Sequence, residues 1–128
     1  CARAAAAAMP AQGGAVVNTA SIMGLSGAGP YPNPAYHATK GALVNLTRSQ
    51  AVEWAPRGIR VNAVAPSIAM HANLAKVTTD ELLAELTSRE AFGRAAEPWE
   101  VANVIVFLAS DYSTYMTGEV LSVSSQHP

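Results

Sequence analysis

Two β-favouring runs stand on either side of one long helix-compatible stretch, and this order constrains the fold more than any other feature of the chain. The first is Ala15-Val16-Val17-Asn18-Thr19-Ala20-Ser21 and the second is Ile59-Arg60-Val61-Asn62-Ala63-Val64-Ala65-Pro66. Between them, residues 34–55 open on proline and are stopped by Pro56 and Gly58, which reads as a helix. A strand, a helix of that length and a second strand predict a right-handed crossover, with the two strands parallel in a sheet covered on both faces. Further along, Thr79-Asp80-Glu81-Leu82 carries cap-type residues at the start of a polar-rich helix. Glu97-Pro98-Trp99-Glu100 opens another helix, with proline in its first turn, that runs through the apolar residues 101–109. Thr117-Gly118 then turns the chain into a third strand over residues 119–124.

Three strands are few, since most sheets have about 4–6. The chain also begins inside what reads as a helix, ended by Pro10 and Gly13-Gly14. Further strands are therefore expected upstream of Cys1, and the chain is expected to be a piece of something longer.

Half of the 128 residues are hydrophobic and the net charge is −1, so there is material for one core and no charge excess pointing to nucleic acid or a membrane surface. The single Cys1 excludes an internal disulfide framework and fits a reducing compartment, with the cytoplasm as the expected location. Residues 101–109 fall far short of the ~20 needed to span a bilayer. The alanines before Met9 lack the branched and aromatic residues of a signal segment. No His/Cys/Asp/Glu spacing suggests a metal site.

Chemistry concentrates around Tyr36-His37-Ala38-Thr39-Lys40, which begins fifteen positions after Ser21. A tyrosine and a lysine four apart share one helical face, so the ammonium can favour the phenolate, and the pair is a candidate proton donor and acceptor. Ser21 stands at a polar strand end, where α/β sheets carry their chemistry. Residues 24–34, with three glycines and three prolines, read as a loop on the substrate side. Gly24, Gly27 and Gly29 do not make a phosphate loop, because Pro30, Pro32 and Pro34 keep them from running straight into a helix N-terminus. Gly24-Leu25-Ser26-Gly27-Ala28 likewise lacks the Gly-x-Ser-x-Gly of a nucleophile elbow. His37 points about a quarter turn away from Tyr36, toward a partner or solvent, and His127 has no identifiable partner. Trp54 and Trp99 read as core or interface anchors.

Asn18-Thr19-Ala20-Ser21, the Tyr36/Lys40 pair, Val61-Asn62-Ala63-Val64-Ala65-Pro66 and Tyr115-Met116-Thr117-Gly118-Glu119-Val120 together resemble the short-chain dehydrogenase/reductase family, in particular its 3-oxoacyl-reductase-like members. Each motif alone is common; in this order they are specific. The resemblance covers essentially the entire chain and matches the C-terminal half of the family's fold. It implies a Rossmann-type parallel sheet, truncated to its last three strands with flanking helices, residues 1–128 forming the C-terminal part of a single domain. It also implies an NAD- or NADP-dependent oxidoreductase that interconverts a secondary alcohol and a ketone, of 3-oxoacyl or ring-ketone type. Ser21 would polarise the substrate carbonyl, Tyr36 would pass the proton, and Lys40 would hold the nicotinamide ribose while favouring the ionised tyrosine. Cofactor contacts are implied for Tyr36, Lys40, Pro66, Ser67, Ile68 and Ala69, with Pro66-Ser67 standing where the family usually has Pro-Gly, and His71 near a usual threonine position.

The family's glycine-rich dinucleotide fingerprint, its selector for the adenosine ribose and the catalytic asparagine of the preceding helix have no counterpart in these residues. The 128 residues alone are accordingly expected to be poorly active or inactive, and the parent to be a homodimer or homotetramer acting on a small carbonyl or alcohol substrate. That substrate could be an acyl thioester, and the loop Pro66-Ser67-Ile68-Ala69-Met70 directs one alternative toward acyl-CoA intermediates of steroid or other alicyclic ring breakdown. The other alternative is a non-catalytic domain associating through residues 36–54, where Ala42, Leu43, Leu46 and Ala51 offer small and apolar groups.

Overall fold

The computed structural model describes residues 1–26, 33–71 and 73–125. Helix α1 (Ala2–Ala8) leads to strand β1 (Gly14–Thr19), a 3₁₀ turn (Ile22–Gly24) and the long helix α2 (Pro34–Trp54). A second 3₁₀ turn (Ala55–Arg57) precedes β2 (Ile59–Pro66). Helices α3 (Leu74–Val77), α4 (Asp80–Ser88) and α5 (Pro98–Ala109) follow, then a 3₁₀ turn (Asp111–Ser113) and β3 (Val120–Val123). Glycines 27 and 29, prolines 30 and 32, and His127 lie outside the described residues.

The three strands form one parallel sheet in the order β1-β2-β3. β1 and β2 pair from Gly14↔Ile59 to Thr19↔Val64, and β2 and β3 from Ala63↔Val120 to Pro66↔Val123. Helix α2 is the expected crossover. It starts where Asn33 Oδ1 accepts the Tyr36 N–H at 3.1 Å and Pro34 sets the first turn, and its 3₁₀ continuation ends at Gly58 with φ +68°. Gly13, at φ +90°, is where the chain must pass against the Gly58 carbonyl, leaving no room for a Cβ.

Central β2 is buried along almost its whole length, as expected of a strand covered on both faces, and its two polar side chains, Arg60 and Asn62, are hydrogen-bonded. Ile59, Val61, Ala63 and Ala65 pack in clusters with Ala6, Ala20, Val44, Ala51 and Trp54. Val64, on the opposite face, packs with Val101 and Leu108 of α5. Arg60 secures the end of α5 by donating to the carbonyls of Leu108, Ser110 and Ser113 at 2.9–3.1 Å.

One expectation is corrected here. Ala51, assigned to an association face, is buried with Ala6, Trp54, Ile59 and Val61, because it lies on the side of α2 that packs on β2. The short helix α3 was not anticipated; four residues give no periodic signal. Trp54 is core, as one of its two readings had it, whereas Trp99 is exposed on α5. Among the described residues no helix is long and apolar enough to cross a membrane, and no group of three or more His, Cys, Asp or Glu could hold a metal ion.

Candidate active site

Ser21 stands two residues past the carboxyl end of β1 and is 8% exposed. Its Oγ accepts the Met23 N–H at 3.2 Å, capping the turn Ile22–Gly24 and leaving the hydroxyl hydrogen to donate elsewhere. That turn lies directly on α2: a Cβ on Gly24 would stand 2.7 Å from the Lys40 carbonyl carbon and oxygen. A glycine is therefore what brings Ser21 up to the first turns of the helix.

Tyr36 and Lys40 stand one turn apart on α2, as their spacing requires. The Lys40 Nζ donates to the Thr19 carbonyl at 2.9 Å and lies 5.7 Å from the centre of the Tyr36 ring. The ammonium thus ties the end of β1 to the helix and faces the phenol ring. Beside them, His37 Nδ1 makes a 2.8 Å bond to the Asn33 carbonyl, so its ring is used locally at the helix start.

The segment after β2 forms the other wall. Ser67 N–H donates to the Val123 carbonyl at 3.1 Å, Ala96 N–H to Ile68 at 2.9 Å, and Met70 N–H to Ala96 at 2.9 Å. Ser67 is thereby tied to β3, and residues 68–70 are paired with Ala96 on the approach to α5, with Ala69 and Ala96 bridged in parallel.

Two adjoining clefts open between these walls. One, of about 330 Å³, is bounded by Thr19, Lys40, Pro66, Met70, Pro98 and Val101. The other, of about 420 Å³, is bounded by the apolar Ile22, Met23, Ile68, Leu74 and Leu86. Ser21, Tyr36, Ser67, Ala69 and His71 border both. The expected residues thus converge on one place, with Ile68 on the apolar side and Lys40 and Pro66 on the other. Sequence reasoning missed the Thr19 carbonyl, which as a backbone atom has no signature, and the walls supplied by Ile22, Met23, Leu74 and Leu86. The Asn33-Pro34 cap was open to reading from residue type alone.

A parallel sheet crossed by helices, with clefts at the carboxyl ends of its strands, is the Rossmann-type α/β arrangement. A family profile described as enoyl-(acyl carrier protein) reductase matches residues 1–125. The chain is 55% identical over 116 residues to the (5R,7aS)-5-hydroxy-7a-methyl-1-oxo-2,3,5,6,7,7a-hexahydro-1H-indene-carboxyl-CoA reductase of Mycobacterium tuberculosis, covering 91% of this chain and 44% of that protein. It is 44% identical over 110 residues to the cis-4-hydroxycyclohexanecarboxylate dehydrogenase of Sinomonas cyclohexanicum, covering 86% of this chain and 43% of the relative. A solved structure from Beutenbergia cavernae, described as a putative NAD(P)-dependent gluconate 5-dehydrogenase with NADP bound at low occupancy, superimposes with a TM-score of 0.80 at 43% identity. That superposition covers 89% of this chain and 45% of the other. The chain belongs to the short-chain dehydrogenase/reductase family. It spans less than half the length of the curated relatives it matches here.

Proposed function

We propose that these residues form the C-terminal part of a single Rossmann-type domain in an NAD(P)-dependent oxidoreductase that interconverts a secondary alcohol and a ketone. The observation that carries this reading is the meeting of Ser21 and Tyr36 on the border shared by two clefts, with Lys40 beside them. A cofactor in one cleft and a substrate in the other would meet beside those hydroxyls.

The donor set fits a nicotinamide cofactor: Tyr36 and Lys40 supply hydroxyl and ammonium donors, while Pro66, Ala69, Pro98 and Val101 supply apolar surface for a flat ring. Ser67 and Ile68 complete the proposed contacts, Ile68 from the neighbouring cleft. A nicotinamide held there would supply or accept the hydride. During reduction, charge develops on the substrate's carbonyl oxygen. Ser21 O–H stabilises that oxygen by donating to it, and Tyr36 O–H supplies the proton. Lys40 Nζ, held by the Thr19 carbonyl, sets an ammonium 5.7 Å from the centre of that ring and is the proposed contact to the cofactor ribose. In the oxidative direction Tyr36 accepts the proton instead.

A second reading narrows the substrate to a ring ketone borne on an acyl-CoA. It is favoured by the apolar lining of the 420 Å³ cleft and by the 55% identity to a CoA ring-ketone reductase. Homo-oligomeric assembly of the complete protein belongs to the same proposal, as does inactivity of the 128 residues alone.

The test is Tyr36→Phe in the protein carrying the N-terminal half that its relatives possess. Turnover of a ketone with NADPH or NADH is expected to fall by about 10²–10⁴-fold, with circular dichroism and assembly unchanged. Turnover unaffected by the substitution would sink the mechanism. Saturable turnover by the isolated 128 residues would sink the claim that they are inactive.

A further inference from the structure

His71 is the one imidazole bordering both clefts among the described residues, and the catalytic scheme leaves it unused. The Leu74 N–H is shared between its carbonyl at 2.9 Å and its ring Nδ1 at 3.2 Å. A ring nitrogen that accepts carries no hydrogen, so in the neutral ring the proton sits on Nε2. One edge of the imidazole is therefore committed to the start of α3, and the other carries a donor.

The surroundings give that donor something to select. Among the described residues lining the apolar cleft none is charged. Of its other polar side chains, Ser21 and Tyr36 are assigned to the reacting oxygen and Asn33 Oδ1 accepts the Tyr36 N–H at 3.1 Å, which leaves the Asn33 amide N–H and the Ser67 and Thr78 hydroxyls beside the His71 donor. Leu74, positioned through the Nδ1 contact, is itself part of the apolar wall.

We propose that His71 is a specificity-determining residue: Nε2–H donates to a second oxygen of the substrate, remote from the reacting carbonyl, while Nδ1 holds Leu74 against the substrate's apolar body. The inference rests on the ketone-reductase reading above. It selects substrates that combine an alicyclic or other apolar frame with an ether, hydroxyl, ester or thioester oxygen. His71 is solvent-exposed as well as cleft-lining, so the preference is that of a single partly hydrated hydrogen bond, about three- to tenfold.

The experiment compares kcat/KM of the complete protein for 2-, 3- and 4-methoxycyclohexanone with the ethylcyclohexanones of matching shape. At least one methoxy compound is expected to be preferred about three- to tenfold. His71→Asn, whose amide oxygen mimics Nδ1, is expected to abolish that preference. His71→Gln, whose amide N–H reaches the Nε2 position, is expected to keep it. A wild-type enzyme with no preference in any pair overturns the proposal and leaves the reductase reading standing. So does a preference that survives in His71→Asn, or a variant that loses efficiency equally on both members of a pair, as a merely structural residue would. Absence of any ketone turnover in the wild type overturns both readings.

Discussion

Asn62 is bound to its neighbours through both ends of its amide. It is 1% exposed, its Nδ2 donates to the Met116 carbonyl at 2.8 Å, and its Oδ1 accepts the Glu119 N–H at 3.0 Å. It therefore fastens central β2 to the turn that feeds β3. Asn62→Ala removes both part-buried bonds and leaves the Met116 carbonyl and the Glu119 N–H without this partner, so stability is expected to fall by about 1–3 kcal/mol. Urea unfolding of the complete protein reads this as a lower midpoint with an unchanged slope. Asn62 was visible as part of a motif, but its role was not, because its partners lie 54 and 57 residues downstream. Tyr36 and Lys40 are the contrary case. Their relation is fixed within one helical turn, and residue types four apart were enough to find it.

At the scale of elements, Gly24 sets how closely the serine-bearing turn approaches α2. Gly24→Ala forces a Cβ to 2.7 Å from the Lys40 backbone, which cannot yield without moving the helix. The turn should shift instead and carry Ser21 with it. Turnover is expected to drop by about 10²-fold, and stability by about 1–3 kcal/mol. Retained turnover with an unmoved Ser21 in a crystal structure of the variant would contradict this.

The start of α5 provides a pH-dependent counterpart. Arg94 bonds both carboxylate oxygens of Glu100 at 2.8 Å. That pairing, followed by the Glu97 N–H, holds the Glu100 carboxyl down to about 2, from an ordinary value of 4.5. A carboxyl depressed on folding contributes stability above its unfolded value and loses it as pH falls toward the folded one. The midpoint of thermal unfolding should therefore decline more steeply in the wild type than in Glu100→Gln between about pH 4.5 and 2. Parallel declines would show the pairing to be without weight. Both the proline at this helix start and the stop of α2 were legible, because caps act within a turn. The burial of Ala51 was not, since a small residue suits a core or a surface equally and only the packing of α2 on β2 selects between them.

At the scale of the whole molecule, β1 is paired through β2 alone among the described residues. Its other edge offers unmet backbone donors and acceptors along a six-residue strand, a template for pairing with another chain. The 128 residues expressed alone are expected to self-associate, and light scattering should give a mass above the 13.3 kDa of one chain. A monodisperse 13.3 kDa species would show the edge to be protected.

What the amino-acid order determined by itself was local. Runs of β-branched residues with a helix-length interval dictated a parallel crossover, and cap and breaker residues marked where α2 and β2 begin. Strand β2 runs over Ile59–Pro66, the span its residue types imply. These features follow from the fixed rise and rotation of each element, which spacing along the chain reports directly. Tertiary structure alone decided that residues from six separate segments close around two clefts, and that Ser21, Tyr36 and His71 stand on their common border. Those relations depend on how closely elements approach, through the Gly24 contact with α2, the Lys40 bond to Thr19 and the pairing of residues 68–70 with Ala96. No periodicity encodes such distances, because they are set by packing between surfaces far apart in the chain.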